Sequence, residues 1–250
     1  MKIIVNNLAV EYDEQGSGPV ILLLHGWKDD LHTFDALIPL LSGSARVVRL
    51  DFPGFGGSQL PSEAWGVGEY ARFVEDFCQK LRITPEILVG HSFGGRIALK
   101  GIAEGLFHPR KLVLIGSAGL AKHRTMRALA FNALAKAGKV VLSFFPTSIQ
   151  ESFCRKLYQK AGSKDYLTAG ALKETFLKVT QEDLSETARA IKVPTLLVWG
   201  EDDTETPLSD GKRLHGLISG SRLEVIEGAG HFVHQERPEE IAKMIKRFVS

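Results

Sequence analysis

The run Gly90-His91-Ser92-Phe93-Gly94 constrains this chain more than any other stretch. It lies between a short apolar segment, Pro85 to Val89, and a helix-forming one, Arg96 to Lys100. A chain that passes from strand to helix within two residues forces its apex residue, Ser92, into a strained backbone conformation. Residues two places to either side must be small, because strand and helix nearly touch there. Gly90 and Gly94 meet that demand. Such a turn holds the Ser92 hydroxyl out at a sheet edge, beside a helix N-terminus whose free N–H groups favour developing negative charge. A G-x-S-x-G run also arises by chance in a chain with 25 glycines. Its weight therefore rests on the strand-turn-helix setting and on partners elsewhere.

The rest of the chain supplies that setting. Lys2 to Tyr12 alternates polar and apolar residues and reads as one or two edge strands. Val20-Ile21-Leu22-Leu23-Leu24 is a continuous aliphatic run, as a central parallel strand covered on both faces requires. It ends in His25-Gly26-Trp27, and a helix is expected after it, with Phe34, Leu37, Ile38, Leu40 and Leu41 at helical spacing. Arg46 to Leu50 is the next strand and ends in the Gly- and Pro-rich loop Asp51 to Ser58. Val67 to Leu81 carries a helical apolar stripe, and Lys111 to Ile115 is a further buried strand. Strands thus alternate with helices, which implies an α/β fold with a mostly parallel central sheet and helices on both faces.

The alternation stops after Gly119. Residues 128–142, 150–159 and 171–179 read as helices, and strands resume at Val193 to Trp199. A helix is expected near 208–218, a strand at 222–227 and a last helix at 238–249. About 70 residues is long for an ordinary connection. The expected organisation is a core domain of residues 1–118 and 189–250 with an inserted all-helical cap, 119–188.

A serine nucleophile needs a base, and the base an orienting acid. Trp199-Gly200-Glu201-Asp202-Asp203 and Gly228-Ala229-Gly230-His231-Phe232 each follow a strand, at the carboxyl edge of the sheet where open α/β sheets build their sites. The order is serine, then acid, then histidine, as this sheet type requires. His231 would take the Ser92 proton and return it to the leaving group.

With these residues in place the chain resembles the α/β-hydrolase superfamily, in the branch with a helical cap. The likeness rests on His25-Gly26, Asp51-x-Pro53-Gly54-x-Gly56-x-Ser58, Gly90-x-Ser92-x-Gly94, Gly200-x-x-Asp203-x-x-x-Pro207 and Gly230-His231, five motifs in one order covering the chain outside the cap. The resemblance implies Asp203 as the acid, since it keeps the four-residue spacing to Pro207, with Asp202 the alternative. It implies a catalytic set of Ser92, Asp203 and His231, and an oxyanion hole from the backbone N–H groups of Phe93 and Trp27. Each such donor is worth about 3 kcal/mol of transition-state stabilisation. The expected activity is hydrolysis of an ester, thioester or lactone of a small-molecule acyl substrate through an acyl-enzyme. Two alternatives stand beside it. Carbon–carbon bond hydrolases of ring-cleavage products share the serine, acid, base and cap, but usually carry Asn before the serine and Trp after the histidine, where this chain has His91 and Phe232. A non-catalytic ligand-binding member of the fold is the other.

Composition narrows the field further. A net charge of +2 does not argue for nucleic acid as a partner. Cys78 and Cys154 stand alone, without the spacing of a disulfide framework or a zinc site. No nucleotide-binding glycine motif occurs, so no cofactor is expected. The first residues lack an apolar leader core, and no run reaches the ~18 uncharged apolar residues of a membrane span, so a cytoplasmic location is expected. The residues hold no signal for an oligomeric state. His25 and His91 are expected to be structural. His234, three after His231, has metal-pair spacing but no supporting ligands, and Phe55 is read as equally suited to packing or substrate contact. The expected cap is basic, with Lys122, Arg124, Arg127, Lys136, Lys139, Arg155, Lys156, Lys160 and Lys164 against Glu151 and Asp165. This reads as a solvated face before it reads as steering of anionic substrates.

Overall fold

The computed structural model describes residues 1–120 and 168–249. The basic residues of the expected cap, and its helices at 128–142 and 150–159, lie outside the described residues. The strands are β1 (Lys2–Val5), β2 (Leu8–Gln15), β3 (Val20–Leu24), β4 (Arg46–Leu50), β5 (Ile87–His91), β6 (Lys111–Ile115), β7 (Thr195–Gly200) and β8 (Arg222–Ile226). The helices are α1 (Ile38–Leu41), α2 (Val67–Leu81), α3 (Phe93–Ala103), α4 (Lys173–Gln181), α5 (Ser185–Ala190), α6 (Leu208–Leu217), α7 (Val233–Glu236) and α8 (Pro238–Val249).

The strands form one sheet in the order β1-β2-β4-β3-β5-β6-β7-β8. From β4 to β8 every neighbouring pair is parallel; β1 and β2 form an antiparallel hairpin, and β2 pairs antiparallel with β4. The hairpin turn is Asn6-Asn7, both at positive φ as the right-handed strand twist demands.

Alternate residues of the central strands feed two separate cores. Leu22, Leu24 and Leu88 pack with α2 and α3 through Tyr70, Phe77 and Ile97. Ile21, Leu23, Ile87 and Val89 pack on the other face with Phe34, Leu41, Ile241 and Ile245. The sheet is therefore covered on both sides, and the continuous aliphatic runs of β3 and β6 follow from that.

The helix expected from Phe34 to Leu41 is broken in two. Asp30 accepts from the N–H of His32 and starts a 3₁₀ turn, Leu31–Phe34, while α1 is a single turn with Pro39 in its first positions. The apolar periodicity survives the break because both pieces lie on the same face of the sheet.

Residues 168–190 are helical or irregular. The N–H of Leu184 donates to Gly119 O at 2.9 Å, so the chain leaving β6 meets the chain returning toward β7. Lys100 of α3 reaches Glu182 at 2.8 Å and Arg96 donates to its carbonyl, which pins the returning chain to α3.

Gly94, in the first turn of α3, lies against the end of β3. A Cβ there would overlap the carbonyl oxygen of Leu24 and come to 2.8 Å from that of His25. We expect Gly94→Ala to lower the unfolding free energy by about 1–3 kcal/mol, as overpacking against backbone does. Urea denaturation would read this as a lower midpoint with unchanged slope.

Candidate active site

Ser92 is the turn between β5 and α3, with φ 49° and ψ −108°. It is one of few non-glycine residues at positive φ. Its backbone is held on both sides: its N–H donates to Ile115 O at 3.0 Å, and its own carbonyl accepts from Ala118 N at 3.1 Å and Gly95 N at 3.1 Å. The end of β6 thus fixes the strained residue. Phe93 opens α3 directly after it.

The loop after β3 runs past the same point. A Cβ on Gly26 would lie 3.4 Å from the Ser92 Cβ and 3.0 Å from His91 Nδ1. Trp27 follows, its ring packed edge-on to Phe93 at 5.5 Å and to Phe55 at 5.0 Å. The two residues expected to supply oxyanion N–H groups, Trp27 and Phe93, therefore flank Ser92.

At the ends of β7 and β8, Asp203 and His231 meet: Nδ1 of His231 lies 2.8 Å from Asp203 Oδ2. Asp203 is buried, whereas Asp202 is exposed. Burial alone would raise the Asp203 carboxyl. The hydrogen bond and charge of His231, with the N–H and O–H of Thr206, outweigh it and hold the group below its ordinary value. The pair sits against Gly116, at the end of β6, between Ile115 and Ala118, whose backbone groups hold Ser92. A Cβ on Gly116 would lie 3.2 Å from Asp203 Oδ2 and 3.3 Å from His231 Nδ1, and its φ of 47° suits glycine.

Sequence reasoning missed Thr206. Its N–H and that of Glu205 both donate to Asp203 Oδ1 at 2.9 Å. Its hydroxyl lies 2.8 Å from Asp203 Oδ2. A threonine three residues past a buried aspartate was the available signal, since that spacing suits a hydroxyl folding back on the carboxylate. Glu205 was missed too. Its carboxylate, exposed to solvent, lies 3.6 Å from His231 Nε2.

Three other histidines surround the site, and each has a structural partner. His25 accepts from Phe52 N at 3.0 Å through Nε2, so its Nδ1 carries the proton and donates to Gly26 O at 2.7 Å. This ties the loop after β3 to the loop after β4. Burial drives its pKa down to about 4. His91 lies 3.2 Å from the carbonyl of His231 through Nε2, and its ring packs, tilted, at 4.8 Å from the His231 ring and 4.4 Å from that of His234. Burial, then the neighbouring rings of His234 and His231, hold it well below the ordinary value. His234 pairs with Thr33 Oγ1 at 3.0 Å, and burial takes its pKa down to about 3. No group of three metal-ligating side chains is gathered among the described residues. Phe55 is buried against His25, Trp27 and Phe93, so it packs. Asp51 holds its loop by accepting from Leu31 N and Gly57 N, both at 2.7 Å.

Comparisons with known proteins identify the family. The sequence model described as "Alpha/beta hydrolase family" matches residues 21–244. The chain belongs to the α/β-hydrolase family. An uncharacterized hydrolase, YugF, of Bacillus subtilis is 27% identical over 97% of this chain and 94% of that protein. The 2-hydroxy-6-oxo-6-(2'-aminophenyl)hexa-2,4-dienoic acid hydrolase of Metapseudomonas resinovorans is 28% identical over 96% of this chain and 87% of its own length. The solved esterase of Exiguobacterium antarcticum superposes with a TM-score of 0.76 at 25% identity, over 100% of this chain and 99% of that one. This hydrolase has, among its described residues, no helix long and apolar enough to cross a membrane.

The buried histidines set an acid limit on stability. An unfolded imidazole protonates near pH 6.5, whereas folded His25 resists protonation to about 4 and His234 to about 3. Between those values the unfolded chain binds more protons, so stability is full above pH 6.5 and falls as pH drops toward 4. Each such group contributes a slope of about 1.4 kcal/mol per pH unit. Urea midpoints measured from pH 7 to pH 4.5 should fall steadily, and His25→Gln should flatten the decline.

Proposed function

We propose that this hydrolase is a serine esterase acting on a carboxylic ester, thioester or lactone of a small to medium acyl substrate. The observation that carries the reading is the contact of Asp203 with His231, beside the chain end that holds Ser92 in its strained turn. In the mechanism, Ser92 Oγ attacks the carbonyl carbon as His231 Nε2 takes its proton. The carbonyl oxygen becomes an oxyanion between the N–H groups of Trp27 and Phe93. Asp203, on Nδ1, sets the tautomer that leaves Nε2 free to accept, and supports the imidazolium that forms. The imidazolium then protonates the leaving alkoxide or thiolate, and the acyl-enzyme remains. Water, deprotonated by the same Nε2, cleaves it and releases Ser92. Residues 119–188 are the proposed cap, whose two ends meet at Gly119 and Leu184, and no cofactor or metal is called for by these steps.

Carbon–carbon bond hydrolysis is the second reading, supported by the Metapseudomonas relative. Against it stand His91 and Phe232, at the places where the resemblance leads one to expect Asn and Trp.

A p-nitrophenyl ester series from acetate to long chains tests the proposal, with wild type and Ser92→Ala compared directly. Turnover is expected in wild type and none above background in the variant, with the fold retained. A folded wild type inert toward every ester sinks the esterase reading and favours the carbon–carbon reaction. The acid assignment is checked on the best ester. Asp203→Asn should lower kcat by about 10³–10⁴-fold, while Asp202→Asn should stay near wild type; the reverse order would name Asp202 as the acid.

A further inference from the structure

Thr206 is more than a filler beside the catalytic acid. Every polar group it carries is engaged. Its carbonyl accepts from the indole of the buried Trp199 at 2.7 Å, and its N–H donates to Asp203 Oδ1 at 2.9 Å. Its hydroxyl oxygen lies 2.8 Å from Asp203 Oδ2, 2.9 Å from Gly116 O and 3.2 Å from His231 Nδ1. One side chain thus joins the ends of β6, β7 and β8 at the point where acid and base meet.

The hydroxyl has one proton and two acceptors in reach. If the proton went to Gly116 O, a lone pair of Oγ1 would face an ionised carboxylate oxygen at 2.8 Å. A charge-assisted bond is roughly twice as strong as a neutral one, so the proton lies toward Oδ2. The His231 Nδ1–H also donates to Oδ2, at 2.8 Å. Two donors therefore share that oxygen, while Oδ1 takes the N–H groups of Glu205 and Thr206.

We propose that the Thr206 hydroxyl is a positioning residue that tunes the base: by sharing Asp203 Oδ2 with His231, it draws off part of the charge that would otherwise hold the imidazolium. The effect is to weaken the grip of the acid on the protonated ring while keeping the acid in place. Other groups also face the His231 ring. His91 lies against it from the end of β5, His234 approaches from α7, Asp29 acts on it electrostatically from the loop after β3, and Glu205 lies at Nε2 from the loop after β7. Of these side chains, Thr206 alone is in hydrogen-bond reach of both Asp203 Oδ2 and His231 Nδ1.

The proposal has a sign that a purely structural role lacks. Removing the hydroxyl returns the whole of Oδ2 to His231, which strengthens the Nδ1–H···Oδ2 bond and favours the imidazolium. If Thr206 only braced the loop, its removal would loosen Asp203 and weaken that bond instead.

The test uses Thr206→Val and Thr206→Ser in the full chain. Proton NMR would follow the far-downfield Nδ1 resonance of His231, assigned by its loss in His231→Gln. In Thr206→Val this resonance should move further downfield. The acid limb of kcat/KM on the best ester should move to higher pH by about half a unit. Thr206→Ser, which keeps the hydroxyl, should restore both. A resonance that stays put or moves upfield, or an acid limb shifted to lower pH, overturns the proposal. Thr206→Ala is read in the same way if valine is not accommodated. This inference rests on the role proposed for the Asp203–His231 pair, yet the two fail separately. A downfield shift without turnover of any ester upholds the role of Thr206 and removes the esterase reading.

Discussion

The site depends on a steric contact before it depends on any charge. The first turn of α3 abuts the end of β3 so closely that only glycine fits at position 94. That contact brings the N-terminus of α3, with Ser92 just before it, against the His25–Trp27 loop. The proposed nucleophile and the loop expected to hold the oxyanion are therefore set by one packing event. The strained conformation of Ser92 costs on the order of 1–3 kcal/mol. It persists because the residue is held by the bond it donates to Ile115 O and those it accepts from Ala118 and Gly95 N–H, and because cores on both faces of the sheet keep β5 and β6 in register.

Electrostatics then distinguish one imidazole from its neighbours. His25, His91, His231 and His234 are all buried, and the rings of His231 and His234 both pack, tilted, on that of His91. Burial keeps His25, His91 and His234 neutral, and each is engaged by a backbone group or a hydroxyl. Only His231 has a carboxylate at hydrogen-bond distance. A second imidazolium in this cluster would repel any positive charge on His231, so the neutrality of the others supports the role proposed for His231 as the base. The carboxylate in turn is charged because four donors, from Glu205, Thr206 and His231, converge on its two oxygens.

What could be read from the sequence follows the range of the interactions involved. The aliphatic runs of β3, β5, β6 and β7 were legible because parallel strands are buried on both faces and leave an unbroken apolar signal. The turn at Ser92 was legible because its steric demand falls on residues two places away. Asp203 and His231 were legible as strand-end residues, though their meeting depends on the pairing of β7 with β8. The 3₁₀ turn at Leu31–Phe34 was not, because periodicity records which face a residue occupies and not whether the helix between is continuous. Thr206 was overlooked because its partners come from three strand ends, and only its return to Asp203 is local. The links from His91 to the His231 carbonyl and from His234 to Thr33 span 140 and 201 residues. No local pattern encodes contacts of that range.

His91 bears on chemistry as well as on folding. It precedes Ser92, the proposed nucleophile. Its ring is buried, with Nε2 at the carbonyl of His231 and its faces against His231, Phe232 and His234. A side chain so engaged braces His231 and leaves little of itself open to solvent. Phe232 is different: it packs on His91 yet remains 36% exposed. An apolar ring left partly open beside His231 cannot accept or donate a hydrogen bond, so it offers a substrate only shape and apolar contact. Among the described residues, the polar groups set around the proposed reacting centre are the backbone N–H groups proposed at Trp27 and Phe93 and the exposed carboxylate of Glu205 at His231 Nε2.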